Sequence, residues 1–313
     1  MIFDAHADIL TDMYQEHLKG NKDSFKKRHL EKYIKGGVTH SIFVNWTLPE
    51  IDDKNLFDKI WNYALKEIKD NQDIFKVCHD TSDFKCAYQE NKIGVILGME
   101  GIAQLKDVHH LHELYDKGVR HAGLTWNEVN DYGGGLSSEE DRLTKKGKEI
   151  LLEMQKLGMV IDLAHANPKT FNDILDHTHG PLIISHGNIK AVHNHIRNYT
   201  DDQLMRIKER NGVIGICGIG PFIAQEQKDW TVKNLVKHID YAVNLIGINH
   251  VGVGFDVCYY LGNEVDNNKV EGFRQISDAP NIFRELERIG YTSEDIDKIK
   301  YGNFYRVMKS VLG

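Results

Sequence analysis

The sequence predicts an α/β fold, a (β/α)8 barrel of the TIM type. Eight short apolar runs alternate with helical segments, which is the pattern of parallel βαβ units, and eight such units can close on themselves. Several of those runs also end in His, Asp or Glu, and in a barrel these ends share one mouth. A doubly wound sheet is the alternative, but polar residues at so many strand ends favour the barrel. No composition shift, Pro/Gly-rich linker, low-complexity segment or repeat interrupts the chain, so residues 1–313 read as a single domain.

The first run, Ile2-Phe3-Asp4-Ala5-His6-Ala7-Asp8, is a short strand closing on two metal-capable side chains. Residues i and i+2 of a strand share a face, so His6 and Asp8 can grip one cation. Residues 12–36 are polar and helix-like and stop at Gly36-Gly37; Val38 to Asn45 is the second run. An amphipathic stretch from about Asp52 to Phe75 carries Leu56, Ile60, Tyr63, Ala64 and Ile68 at helical spacing. The third run, Ile93 to Glu100, closes on a glutamate. A helix near Leu105–Lys117 precedes the fourth, Val119 to Thr125. The Gly-rich loop at 131–135 leads to a helix over Thr144–Leu157. Met159–His165, Pro181–His186, Gly212–Cys217 and Val251–Asp256 complete the eight, and Thr292–Val311 reads as a closing helical pair.

Composition excludes several classes. An apolar fraction of 41% and a charged fraction of 27% belong to an ordinary globular protein. A net charge of −7 with both signs scattered predicts no nucleic-acid or membrane partner. Cys78, Cys86, Cys217 and Cys258 form no C-x-x-C motif or disulfide framework. With no long apolar segment, and a first strand already begun at Ile2, a cytoplasmic location is expected.

The strand ends bring together His6, Asp8, Glu100, His165, His186 and Asp256. Three imidazoles and three carboxylates suit a pair of divalent cations, with Zn2+ the first choice for a mixed nitrogen and oxygen set. Two ions about 3.5–4 Å apart can share a bridging hydroxide and clamp a carbonyl. Glu100 can bridge them, and Asp256, outside the ligand set, can pass a proton to a leaving amine. Any one of these residues alone has a plainer reading, as a satisfied strand-end histidine or a turn-capping aspartate. Their shared position is what argues for chemistry. By the same rule His109, His110 and His112 fall on a solvated helix face, and His177 and His179 belong to the opposite mouth. His193 and His195 follow the sixth run on the correct side, close to Arg197; they read as loop residues, with a supporting role beside the site as the alternative.

Several stretches resemble the membrane-dipeptidase (renal dipeptidase) family of zinc peptidases in the amidohydrolase superfamily. They are Asp4–Asp8, Gly98–Gly101, Gly158–Ala166, Ile183–Asn188, Arg197–Asp201, Gly212–Gly215, His250–Gly254 and Gly302–Val307, in order along the whole chain. The resemblance implies that His6, Asp8 and Glu100 bind one zinc, and that Glu100, His165 and His186 bind the second. It also implies that Arg197 holds the substrate, that Asp256 shuttles the proton, and that the reaction is hydrolysis of dipeptides, L,D-dipeptides among them. A homodimer would be similar to the family.

Two departures stand out. Trp126 occupies the place of a histidine that contacts substrate in well-known members, and an indole offers one N–H donor and no base. It is expected to cap the substrate, or else to pack at the rim without meeting it. Cys258 replaces a second aspartate two residues beyond Asp256. An amidohydrolase acting on another small amide or cyclic amide is the alternative reading, and a silent homologue that binds without turnover is a third. Loops 126–141 and 257–277 are expected to wall the pocket.

Overall fold

Strands buried on both faces demand continuous Val, Ile and Leu rather than alternation, and the apolar runs meet that demand. The computed structural model describes residues 1–47, 53, 55–262 and 269–313. Its strands are β1 (Ile2–Ala7), β2 (Val38–Asn45), β3 (Phe75–Val77), β4 (Ile93–Glu100), β5 (Val119–Gly123), β6 (Val160–Asp162), β7 (Ile183–Gly187), β8 (Val213–Ile216) and β9 (Val251–Val253). All pairings are parallel, in the order β1-β2-β4-β5-β6-β7-β8-β9, with β3 beside β4 off that path. The eight strands of the path form a nearly closed barrel with helices around it.

Closure between β1 and β9 uses a side chain. Asp4 is buried, and its Oδ1 accepts the Phe255 N–H at 2.8 Å and the His6 N–H at 3.3 Å. The Asp256 N–H donates to the His6 carbonyl at 3.4 Å. One carboxylate thus ties the first strand to the loop after the last, just beneath the mouth.

The other end is plugged by apolar residues. Phe3, Ile42, Ile96, Val160, Ile183 and Val213 meet Phe304, Val307 and Met308 of the C-terminal helix Asn303–Leu312. Phe304 stacks on Phe3 at 5.5 Å and lies so close to Gly252 that a Cβ there would stand 2.6 Å from its ring. The expected closing helical pair is therefore the barrel floor. It consists of Ser293–Asp297, a π turn over Lys298–Gly302, and the last helix.

Boundaries moved for identifiable reasons. The polar segment 12–36 is three helices, Ile9–Leu18, Ser24–Arg28 and Leu30–Gly36, because Gly20 and Asp23 take left-handed backbone between the first two. The amphipathic helix spans Leu56–Asp70; its expected start at Asp52 lies outside the described residues. Phe75, expected at its end, opens β3 instead. The runs ending at Thr125, His165 and Asp256 stop pairing two to three residues early, at Gly123, Asp162 and Val253. After β6 the reason is visible: the Asp162 carboxylate captures the Ala164 N–H at 3.0 Å and turns the chain out of the sheet. His110 is also not on a solvated face, since it is buried against Phe57 and pairs with Asp58 at 3.2 Å. No helix among the described residues is long and apolar enough to cross a membrane.

Candidate active site

The mouth gathers every residue singled out from the sequence. His6 lies at the end of β1 and Asp8 opens the following helix; Glu100 ends β4; His165 follows β6, His186 belongs to β7 and Asp256 to the turn after β9. His6 and His186 are 1% exposed, Asp8 4% and His165 5%. His6 Nε2 lies 3.5 Å from Glu100 Oε2, 3.8 Å from Asp8 Oδ2 and 3.9 Å from Asp256 Oδ1. Glu100 Oε1 lies 2.9 Å from His165 Nε2 and 3.6 Å from His186 Nε2. His6, Glu100 and His186 form one compact donor group; His6, Asp8 and Asp256 form another. His6 is thus common to both groups, whereas the resemblance made Glu100 the shared residue.

Two of these side chains sit on unusual backbone. His165 has φ +66° and Asp256 φ +53°, in the left-handed region that asparagine, aspartate and glycine occupy most readily. Aspartate and histidine are both among the residues that adopt it without glycine's freedom.

The donor chemistry fits divalent metal. Arg197 Nη2 is 3.0 Å from His165 Nε2, and a guanidinium only donates, so that nitrogen carries a lone pair. Its proton is then on Nδ1, 2.8 Å from Asn127 Oδ1. The Nε2 atoms of His165 and His186 face each other at 2.9 Å, an arrangement a shared cation satisfies. Neither ring nitrogen of His6, nor Asp8 Oδ1, has a hydrogen-bond partner although each is buried. Burial pushes the Asp8 carboxyl up to about 7, with Glu100 beside it adding to the shift. Burial likewise raises Glu100 and Asp256 to about 8. Burial holds His165 and His186 well below the usual histidine range, so both imidazoles are neutral. The site is a set of buried acceptors, and a cation is what completes such a set.

Above this cradle lies a cavity of about 470 Å³, the size of a small-molecule pocket. Trp46 and Trp126 meet edge to face at 5.6 Å on its wall, and Trp126 leans over His165 at 5.9 Å. Across from the carboxylates, Arg197 is 6% exposed and lies over the Phe222 ring at 5.4 Å. Its Nη1 has no hydrogen-bond partner although it is buried. Leu136, Ser137, Cys258 and Leu261 complete walls contributed by the two expected loops, of which residues 263–268 lie outside the described ones.

His195 also lines the cavity, packed on Phe222 at 4.8 Å, so it is more than a loop residue on the correct side. Asn127, Ser185 and Asp162 escaped the reading. Each is adjacent to, or three residues before, a residue that was singled out, and sequence position was the only available signal.

The family model of the membrane dipeptidases (peptidase family M19) matches residues 1–312. An uncharacterized dipeptidase of Schizosaccharomyces pombe is 29% identical over 99% of this chain and 80% of its own length. Dipeptidase aclJ of Aspergillus oryzae is 30% identical over 72% of this chain, and the match covers 53% of that relative. Among solved structures, a Rhodobacter sphaeroides metallopeptidase liganded with a phosphinate mimic of the dipeptide L-Ala-D-Ala has a TM-score of 0.88 at 21% identity, covering 99% of both chains. A Pseudomonas aeruginosa amidohydrolase has a TM-score of 0.83 at 22% identity, covering 100% of this chain and 97% of that one. The chain belongs to the membrane dipeptidase family, peptidase family M19.

Proposed function

We propose that this metallopeptidase is a zinc-dependent dipeptidase whose substrates include L,D-dipeptides. His6, Asp8, Glu100, His165 and His186 would hold two Zn2+, a metal suited to this imidazole and carboxylate set. Bound there, the ions would supply Lewis acidity toward a carbonyl and toward water.

The protein's own groups do the rest. Asp256 takes the proton of the attacking water on a carboxylate oxygen and returns it to the leaving nitrogen. Arg197 binds the substrate's C-terminal carboxylate, and charge-assisted, two-pronged geometry is what a guanidinium offers. Trp126 and Trp46 cover the substrate and keep water from the reacting bond.

The observation that carries this reading is Arg197, buried, with Nη1 unpartnered, and 3.0 Å from an imidazole of the cradle. If Arg197 grips the substrate's C-terminal carboxylate while a carbonyl lies over the cradle, one residue separates the two, which favours dipeptides; a second side chain directed toward the mouth would admit a D-residue. The mimic of L-Ala-D-Ala held by the Rhodobacter sphaeroides structure supports the same substrate class. The test is the zinc-loaded protein against Leu-D-Ala-type and L,L-dipeptides, tripeptides and C-terminally amidated dipeptides. Hydrolysis of dipeptides, with weak action on the other two, is expected. Equal rates on all would remove the carboxylate clamp and favour a general amidohydrolase.

A further inference from the structure

Asp162 stands out because it is a buried carboxylate that the proposed chemistry does not use. It is 4% exposed and belongs to neither donor group of the cradle. Burial alone would raise its carboxyl, yet hydrogen bonds from His121 and Ser185 outweigh that and hold it below the usual range, so it stays charged. One oxygen, Oδ1, accepts the Ala164 N–H at 3.0 Å and the Ser185 N–H at 2.9 Å. The other, Oδ2, faces His121 Nε2 at 3.1 Å.

The two backbone donors are the residues immediately before His165 and His186. Capturing Ala164 turns the chain out of β6 and leads into the left-handed residue His165. Capturing Ser185 fixes β7 at the residue before His186. The Ser185 hydroxyl lies 2.9 Å from His186 Nδ1 and also faces the Asp162 carboxylate. For His186 to present a lone pair at Nε2, its proton must sit on Nδ1 and be given to Ser185 Oγ, on the residue whose backbone N–H Asp162 holds. His121 completes the arrangement from β5. Its ring fits only because residue 98 is glycine, where a Cβ would stand 2.4 Å from Nδ1.

We propose that Asp162 is a positioning residue that sets both imidazoles of the cradle at once. It holds His165 through the turn at Ala164, and it holds the ring orientation and tautomer of His186 through Ser185. The inference rests on the reading of the cradle as a metal site. It says that the His165–His186 half is preorganised by one anion, and that damage to this anion is felt at that half and not at Asp8.

The test is metal binding by Asp162→Asn, measured by competition with a chromophoric chelator and by the absorption of the cobalt-substituted protein. An amide keeps the size but turns one acceptor into a donor aimed at existing donors. One equivalent of metal should bind about 10–100-fold more weakly, with a changed cobalt spectrum, while the other equivalent is retained. Ser185→Ala leaves the Asp162 carboxylate intact and breaks only the hydroxyl relay. It should weaken the same equivalent by about 10-fold or less. This variant keeps the inference open to refutation if Asp162→Asn does not fold. Wild-type affinity for both equivalents in the folded variants would overturn the inference alone. A wild-type protein that takes up no metal would overturn the cradle reading, and the inference with it.

Discussion

The two halves of the cradle are held in opposite ways. On one side, every polar atom of His165 and His186 is engaged: Nδ1 of each has a protein partner, Asn127 or Ser185, and Asp162 anchors the residue before each. On the other side, His6 has two unpartnered ring nitrogens and Asp8 an unpartnered oxygen, all buried. The first half is held in place by the protein's own hydrogen bonds. The second carries buried polar atoms that the protein leaves without a hydrogen-bond partner. The difference teaches that a metal site can be rigid and incomplete at once, with preorganisation on one side and binding energy on the other.

Removing His6 is the most damaging way to test this contrast, because His6 belongs to both donor groups. His6→Ala should take metal content from about two ions per chain toward none, and abolish activity. His165→Ala should cost only about one, since His6, Asp8 and Glu100 remain. Emission spectroscopy on dialysed protein reads both. A folded His165→Ala protein with full occupancy would break the assignment of that half.

Asp256 is next in size. As the proton carrier it should lower kcat by about 100-fold or more when changed to Asn, with metal content intact. Because it also lies 3.9 Å from His6, a strong loss of zinc with little kinetic change would make it a ligand of the less organised half.

Arg197 bridges the halves and the pocket. Arg197→Met should lower kcat/KM for dipeptides by about 10–100-fold, mostly through KM, from charge-assisted bonds of about 1.5–3 kcal/mol. The rate on an amidated dipeptide should change little. Equal losses on both substrates would mean that Arg197 serves His165 rather than the substrate. For Trp126→Phe a rise in KM of a few-fold is expected, with the pH profile unchanged, because an indole is not a base. Loss of a limb of that profile would show it acting in proton transfer.

How much of this the sequence revealed follows the same division. The barrel was legible because strands buried on both faces leave continuous apolar runs, and the mouth was legible because those runs end in His6, Glu100 and His186. Residues that act by hydrogen-bonding the backbone leave no such signature. Asp162 sits in the middle of an apolar run and looks like a tolerated polar residue until its oxygen is seen on the N–H groups of Ala164, just past β6, and Ser185, in β7. β3 was missed because three residues of strand beside β4 are too short to show a period after a fifteen-residue helix. His110 was misplaced because its partner, Asp58, is far away in sequence.

The smallest expected effect concerns stability without metal, and it is the most direct comparison of the halves. Asp8 is buried near Glu100 and Asp256, and burial together with the Glu100 carboxylate beside it pushes its carboxyl up to about 7. Replacing it with Asn removes a desolvated acid and leaves a side chain that can still hydrogen-bond. The metal-free protein should therefore gain stability, roughly 1 kcal/mol, seen as a rise in Tm of about 1–3 °C. Asp162→Asn should do the reverse, because that carboxylate is already satisfied by donors and its loss leaves them unpaired in the interior. With zinc bound the order should change: Asp8→Asn loses the stabilisation that ligand binding adds to the folded state, and its Tm should fall below that of the zinc-loaded wild type. Scanning calorimetry on the two variants, with and without zinc, gives four Tm shifts from wild type. Shifts of the same sign for both variants in the metal-free protein would mean that the halves do not differ, and that the unpartnered atoms of His6 and Asp8 carry no energetic consequence.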